Sequence, residues 1–173
     1  ARASRRPGGS GTLGMLANVI AEAAARPGDT ALDRLVVILV RAQGVPVVGR
    51  CARLILLLLG VHVPAAVRIG RAFSMPHATG GVVIHPATTI GDRVTMYHGV
   101  TIGRADGYKG ADPSYGGVVI EDEVVLCTGA VILGRNGKPT IVRRGTVVGA
   151  NAVLSTSTGA GETWAGSPAT RIR

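Results

Sequence analysis

Aromatic residues are nearly missing: they make up 3% of the 173 residues. A core built without them must be assembled from small aliphatic side chains in repeated, narrow layers. That shortage, beside 46% apolar residues and 26 glycines, leans toward a β solenoid over a sandwich or an open α/β sheet. Lysine is scarce too. Lys109 and Lys138 are the only two, so the net charge of +9 comes almost wholly from arginine. A basic surface attracts polyanions. Nucleic acid is not favoured, since no nucleic-acid-binding motif is visible and aromatic rings for base stacking are scarce; a phosphorylated cofactor fits the charge equally well. Cys51 and Cys127 stand in unrelated contexts, with no CxxC and no disulfide framework, which points to a reducing cytoplasm. The apolar run Leu54 to Leu59 falls far short of the ~20 residues that cross a bilayer, so no membrane span is expected, and no signal peptide is visible.

What is present divides in three. Residues 1–10, rich in arginine, glycine and serine, read as a disordered tail. Residues 11–60 read as a helical segment with helices over Leu13 to Ala25, Thr30 to Ala42 and Val47 to Leu59. The second is opened by Asp29 or Thr30 as its cap. Residues 61–173 change period. Aliphatic residues fall at Val63, Ile69 and Met75, then at Ile84, Ile90, Met96 and Ile102. They resume at Ile120, Leu126 and Ile132, and again at Val142, Val148 and Leu154. This is a hexapeptide repeat, in which three hexads make one coil of a parallel β-helix. The coils stack at about 4.8 Å, like strands in a sheet. Residues 104–118 and 135–141 interrupt the count as loops. The longer loop is expected to act as a flap over a site, with Tyr108 and Tyr115 as its candidate contacts.

Three faces per coil place the four histidines. His77 and His98 each stand two residues past an aliphatic anchor, Met75 and Met96, and so stack one coil apart on the same side. Continuing that row gives Thr128 and Ala150. A base followed by small residues makes a track in which a slim cofactor arm can lie. His85, before Pro86, reads as turn chemistry, and Trp164 as a cap on the last coil.

The stretches HATGGVV and GVTIG, the hexads around them and the ending AGSPATRI resemble the serine acetyltransferase-like hexapeptide-repeat acyltransferases, over roughly residues 61–173. The resemblance implies a left-handed parallel β-helix and a CoA-dependent O-acyltransferase, with acetyl-CoA or another acyl-CoA as co-substrate and no metal. It makes His77 the general base that takes the proton of the acceptor hydroxyl, a task suited to an imidazole titrating near neutrality. It places Thr128 and Ala150, and also Gly103 and Arg104 at the loop entrance, beside the cofactor. His98 and Tyr115 are candidate acceptor contacts. A homotrimer is implied, with the site between subunits, either alone or as a dimer of trimers.

Three departures from the family's pattern shape the expected acceptor. Pro76 stands where the family has an acidic residue before the catalytic histidine. The loop reads SYGGVV where the family has an Arg-His pair. The aspartate that orients the imidazole aligns with His62. These losses predict a small hydroxyl-bearing acceptor other than serine, such as a sugar or a secondary metabolite, with serine itself as the alternative. A zinc enzyme of the γ-carbonic anhydrase type is a further alternative, but it needs three protein ligands. The histidines here stand 15, 8 and 13 residues apart, without the close pair such a site uses. A non-catalytic scaffold is the remaining one, and the retained HATG speaks against it.

Overall fold

The structure, a computed structural model, describes residues 11–23, 26, 28–107, 110 and 113–173. The expected tail 1–10 and Tyr108 lie outside the described residues. Three helices come first: α1 (Thr12–Glu22), α2 (Ala31–Ala42) and α3 (Val48–Leu58). Thr30 caps α2 with a reciprocal pair of bonds. Its hydroxyl accepts from the backbone N–H of Asp33 at 3.1 Å, and the Asp33 carboxylate accepts from the backbone N–H of Thr30 at 3.0 Å. α2 turns Val36, Val37 and Val40 inward, at a spacing that puts them on one face. α3 buries Gly49, Ala52 and Leu56 and leaves Leu54 and Leu58 on its outer face. Among the described residues, no helix is long and apolar enough to cross a membrane.

From Val61 onward the chain visits three parallel sheets in rotation. One sheet holds β1 (Val61–His62), β3 (Val82–Ile84), β6 (Thr101–Arg104), β9 (Val131–Gly134) and β12 (Val153–Leu154). The second holds β2 (Arg68–Ile69), β4 (Thr88–Ile90), β7 (Val118–Ile120) and β10 (Thr140–Val142). The third holds β5 (Thr95–Met96), β8 (Val125–Leu126), β11 (Val147–Val148) and β13 (Thr163–Ala165), closed by the antiparallel β14 (Thr170–Arg171). Register follows the anchors: Ile84 pairs with Ile102 and Ile102 with Ile132, while Met96 pairs with Leu126 and Leu126 with Val148. Every anchor read from the sequence is buried except Ile69, which packs partly buried against the core. Trp164 packs partly buried on the last coil and donates its indole N–H to Glu162 at 2.9 Å.

The two interruptions leave from one corner. The first lies between β6 and β7, the second between β9 and β10, so they stack. Tyr115 pairs with Asn136 across them, and the N–H of Gly116 donates to the carbonyl of Arg135 at 3.1 Å. A third, smaller interruption sits elsewhere. Met75 and Ile84 are nine residues apart instead of six. The extra residues form a 3-10 turn, Ala78–Gly80, at the corner between the third and first sheets. Gly80 is required there, because a Cβ would meet the Cβ of His98 at 2.8 Å.

With a core this narrow, one methyl-rich anchor supports the coils above and below it. Leu126→Ala should therefore lower the unfolding free energy by about 2–5 kcal/mol, the usual cost of such a truncation. Urea unfolding measures it, and a loss well under 1 kcal/mol would mean the coils are not rigidly packed.

Candidate active site

His77 occupies the elbow at that third interruption. Its backbone lies in the left-handed region, φ 56° and ψ 32°, where non-glycine residues are uncommon. Its N–H donates to the carboxylate of Asp33 at 2.8 Å, across 44 residues of chain. Asp33 is 4% exposed. Its second oxygen also accepts the hydroxyl of Thr30 at 2.7 Å. Burial pushes the Asp33 carboxyl up, but the hydrogen bonds from Thr30 and from the N–H of His77, with the nearby His77 ring, more than offset that. It sits below its ordinary 3.8 and is ionised at neutral pH. The same helix end supplies Asp29, which accepts the hydroxyl of buried Ser74 at 2.6 Å, and the preceding Arg26 donates to Thr95 at 2.7 Å. The start of α2 is thus tied to the coils that carry His77.

The His98 ring stands edge-on to that of His77, centroids 6.0 Å apart. Nδ1 of His98 is buried and has no hydrogen-bond partner among the described residues. The row continues through the ladder: the N–H of Gly129 donates to the carbonyl of His98, and that of Asn151 to the carbonyl of Thr128, each at 2.9 Å. Thr128 is half-buried and Ala150 exposed. His77 is exposed as well, so in one chain this row is an open surface lacking an opposite wall.

The remaining sequence candidates are not gathered at His77. His62 lies exposed on β1, beside Gln43, Arg53 and Leu57, and it is Asp33 that meets His77. Gly103 and Arg104 end β6, whereas His98 precedes it, so they stand at the opposite edge of the first sheet. There they form a second cluster. The hydroxyl of Tyr115 donates to the carbonyl of Gly103 at 3.2 Å, and Arg104 lies 5.2 Å from the Tyr115 ring centroid while pairing with Asp106 at 3.1 Å. His85 packs edge-on to Tyr115 at 4.7 Å, and its Nδ1 accepts the N–H of Ala87 at 3.1 Å. Burial, with the Arg104 charge, holds the His85 pKa down, and burial pushes the Tyr115 phenol up. Among the described residues, no three His, Cys, Asp or Glu side chains gather as a metal site.

Repeated coils with a histidine elbow at one corner define the class as a hexapeptide-repeat protein. No protein-family profile matches the chain. It is 36% identical over 114 residues to the serine acetyltransferase of Helicobacter pylori, covering 65% of this chain and 61% of that one. To the serine acetyltransferase of Mycobacterium tuberculosis it is 37% identical over 99 residues, covering 57% and 39%. Soybean serine acetyltransferase complexed with serine superposes with a TM-score of 0.72 at 27% identity, over 91% of this chain and 70% of that one. The chain is serine acetyltransferase-like in both sequence and fold. It spans about three fifths of the length of the Helicobacter relatives, 61%.

These similarities correct the expected acceptor. An alcohol other than serine was inferred from Pro76 and from the loop, but the relatives point to serine acetyltransferase, and a solved neighbour holds serine. The physical reason is local: Pro76 is the neighbour of His77 in sequence, not its partner in the fold. The fold brings an ionised carboxylate, Asp33, to the His77 backbone from a distant helix.

Because the Asp33 carboxyl is lowered in the folded state, it stabilises the fold above its ordinary 3.8. That contribution disappears as pH falls through the lowered value. The stability gap between wild type and Asp33→Asn should be open at pH 6 and close below pH 3.8. Urea unfolding across that range checks it, and a gap independent of pH would refute the ionised assignment.

Proposed function

We propose that this chain carries the catalytic part of a CoA-dependent serine O-acetyltransferase, built as a left-handed parallel β-helix over residues 61–173 behind a helical segment, 11–60. The observation that carries the reading is His77, set in a left-handed elbow at the head of a row of small side chains, in a chain whose relatives are named serine acetyltransferase. The His77 imidazole takes the proton of the serine hydroxyl. The oxygen attacks the thioester carbonyl of acetyl-CoA, the carbon–sulfur bond breaks, and the imidazolium returns the proton to the departing thiolate. Thr128 and Ala150, further along the row, line the pantetheine arm. His98 stands where its buried, unpartnered Nδ1 can be satisfied by a bound group. The carboxylates at the start of α2 give the acceptor's ammonium a negative field despite Pro76.

The open row needs a second wall, and the cluster of Gly103, Arg104 and Tyr115 lies too far around the coil to supply it from the same chain. A trimer places one chain's loop corner against the next chain's histidine row. This accounts for site residues at both edges of one sheet. Light scattering at micromolar concentration should give three times the chain mass, and a monomer would remove the shared site.

With serine and acetyl-CoA, followed by thiol release, His77→Ala should lower kcat by roughly 10²–10⁴-fold, the usual share of general base catalysis. Ala150→Trp should instead weaken CoA binding with the assembly intact. Near-full turnover by His77→Ala would overturn the mechanism, and wild-type protein inert toward serine would overturn the acceptor.

A further inference from the structure

A general base that projects from a corner is only as well aimed as the backbone beneath it. The His77 elbow has three features that make its aim a problem. It sits on an inserted turn that the β ladder does not continue through, its φ of 56° is uncommon for a residue other than glycine, and its side chain is exposed. In the serine acetyltransferase-like pattern, an aspartate of the preceding coil aims the imidazole. Here that position holds His62, which lies exposed by α3.

The structure assigns Asp33 as the positioning residue for His77, acting through the main chain: its carboxylate fixes the left-handed elbow by accepting the His77 N–H. Among the described residues, the other bonds that carboxylate accepts come from the cap of α2. Oδ2 takes the N–H and the hydroxyl of Thr30, which leaves Oδ1 to the N–H of His77 at 2.8 Å. The carboxylate is therefore clamped from behind by its own helix and faces one target. It is buried, so the bond to a backbone donor is shielded from water. The helix end that holds it is itself pinned to the coils by Asp29 on Ser74 and by Arg26 on Thr95. The helical segment thereby enters the reaction: it sets where the base points, without touching a substrate.

This inference rests on the acetyltransferase reading for its kinetic arm, and a second arm does not. Three variants are compared with wild type: Asp33→Ala, Asp33→Asn, and Val40→Ala as a control that weakens α2 one turn or more away. Asn keeps an oxygen that can accept the His77 N–H; Ala keeps none. Asp33→Ala should lower kcat about 10–100-fold, the penalty of a misplaced catalytic group, with the KM for acetyl-CoA within twofold. Asp33→Asn should restore most of that loss. Val40→Ala should cost a similar Tm and leave kcat unchanged. In parallel, amide exchange at His77 read by NMR should be slow in wild type and in Asp33→Asn and at least tenfold faster in Asp33→Ala. Equal kcat losses in Asp33→Ala and Val40→Ala, or no recovery in Asp33→Asn, would overturn the assignment. So would unchanged His77 exchange in Asp33→Ala, whether or not the protein turns over serine. Wild type without acetyl transfer would instead count against the reading under Proposed function, while the exchange data still decide the Asp33 link.

Discussion

The stacking of buried aliphatic side chains in register fixes everything else in this molecule. Met75, Met96, Leu126 and Val148 sit one above another behind the third sheet, and Ile84, Ile102, Ile132 and Leu154 behind the first. Each is nearly or fully buried, and all belong to one continuous core. A core this narrow accepts neither a larger side chain nor an inserted residue within a strand, since a slip of one position would turn every anchor outward. Variation is confined to corners. The corner at His77 carries three extra residues, and the corner between the first and second sheets carries both long loops. The His77–His98 pair and the cluster of Gly103, Arg104 and Tyr115 lie at these two places, where the chain departs from its period.

That division explains what the sequence could and could not reveal. The period located the anchors, and the anchors placed His77 and His98 on adjacent coils, which the ring contact at 6.0 Å bears out geometrically. The same arithmetic carried the row on to Thr128 and Ala150, because between Met96 and Val148 the insertions leave from another corner. The extra turn at Ala78–Gly80 was not seen as an interruption, although Met75 and Ile84 stand nine residues apart. The partner of His77 was less accessible still. Asp33 belongs to a helix with no period in common with the coils, and its contact spans 44 residues. A signal did exist: Thr30 and Asp33 stand at the spacing of a capping box, which fixes a carboxylate at the helix start. Nothing local says what else that carboxylate meets. Pro76 and the loop SYGGVV therefore point to an acceptor other than serine, against the relatives, and the aspartate position aligned with His62 leads to a side chain that the fold leaves beside α3.

The charge of the chain is less uniform than its total. Much of the arginine on the coils is matched. Arg71 pairs with Asp92, Arg93 with Glu123, Arg143 with Glu121 and Arg144 with Asp122, each pair joining one coil to the next. Exposed pairs of this kind add little stability singly. Their effect here is to neutralise one side of the stack, coil by coil. Between Asp33 and Asp92 the sequence has no acidic residue, and it carries Arg34, Arg50, Arg53 and Arg68 besides the paired Arg41 and Arg71. Asp29 and Asp33, at the start of α2, reach Ser74 and His77 from before that stretch, and Glu22 of α1 pairs with Arg41. His77 accordingly lies beside the Asp29–Asp33 end of α2, in a part of the sequence that carries no carboxylate of its own. A carboxylate at this corner is therefore supplied by the helical segment and not by the coils that carry His77.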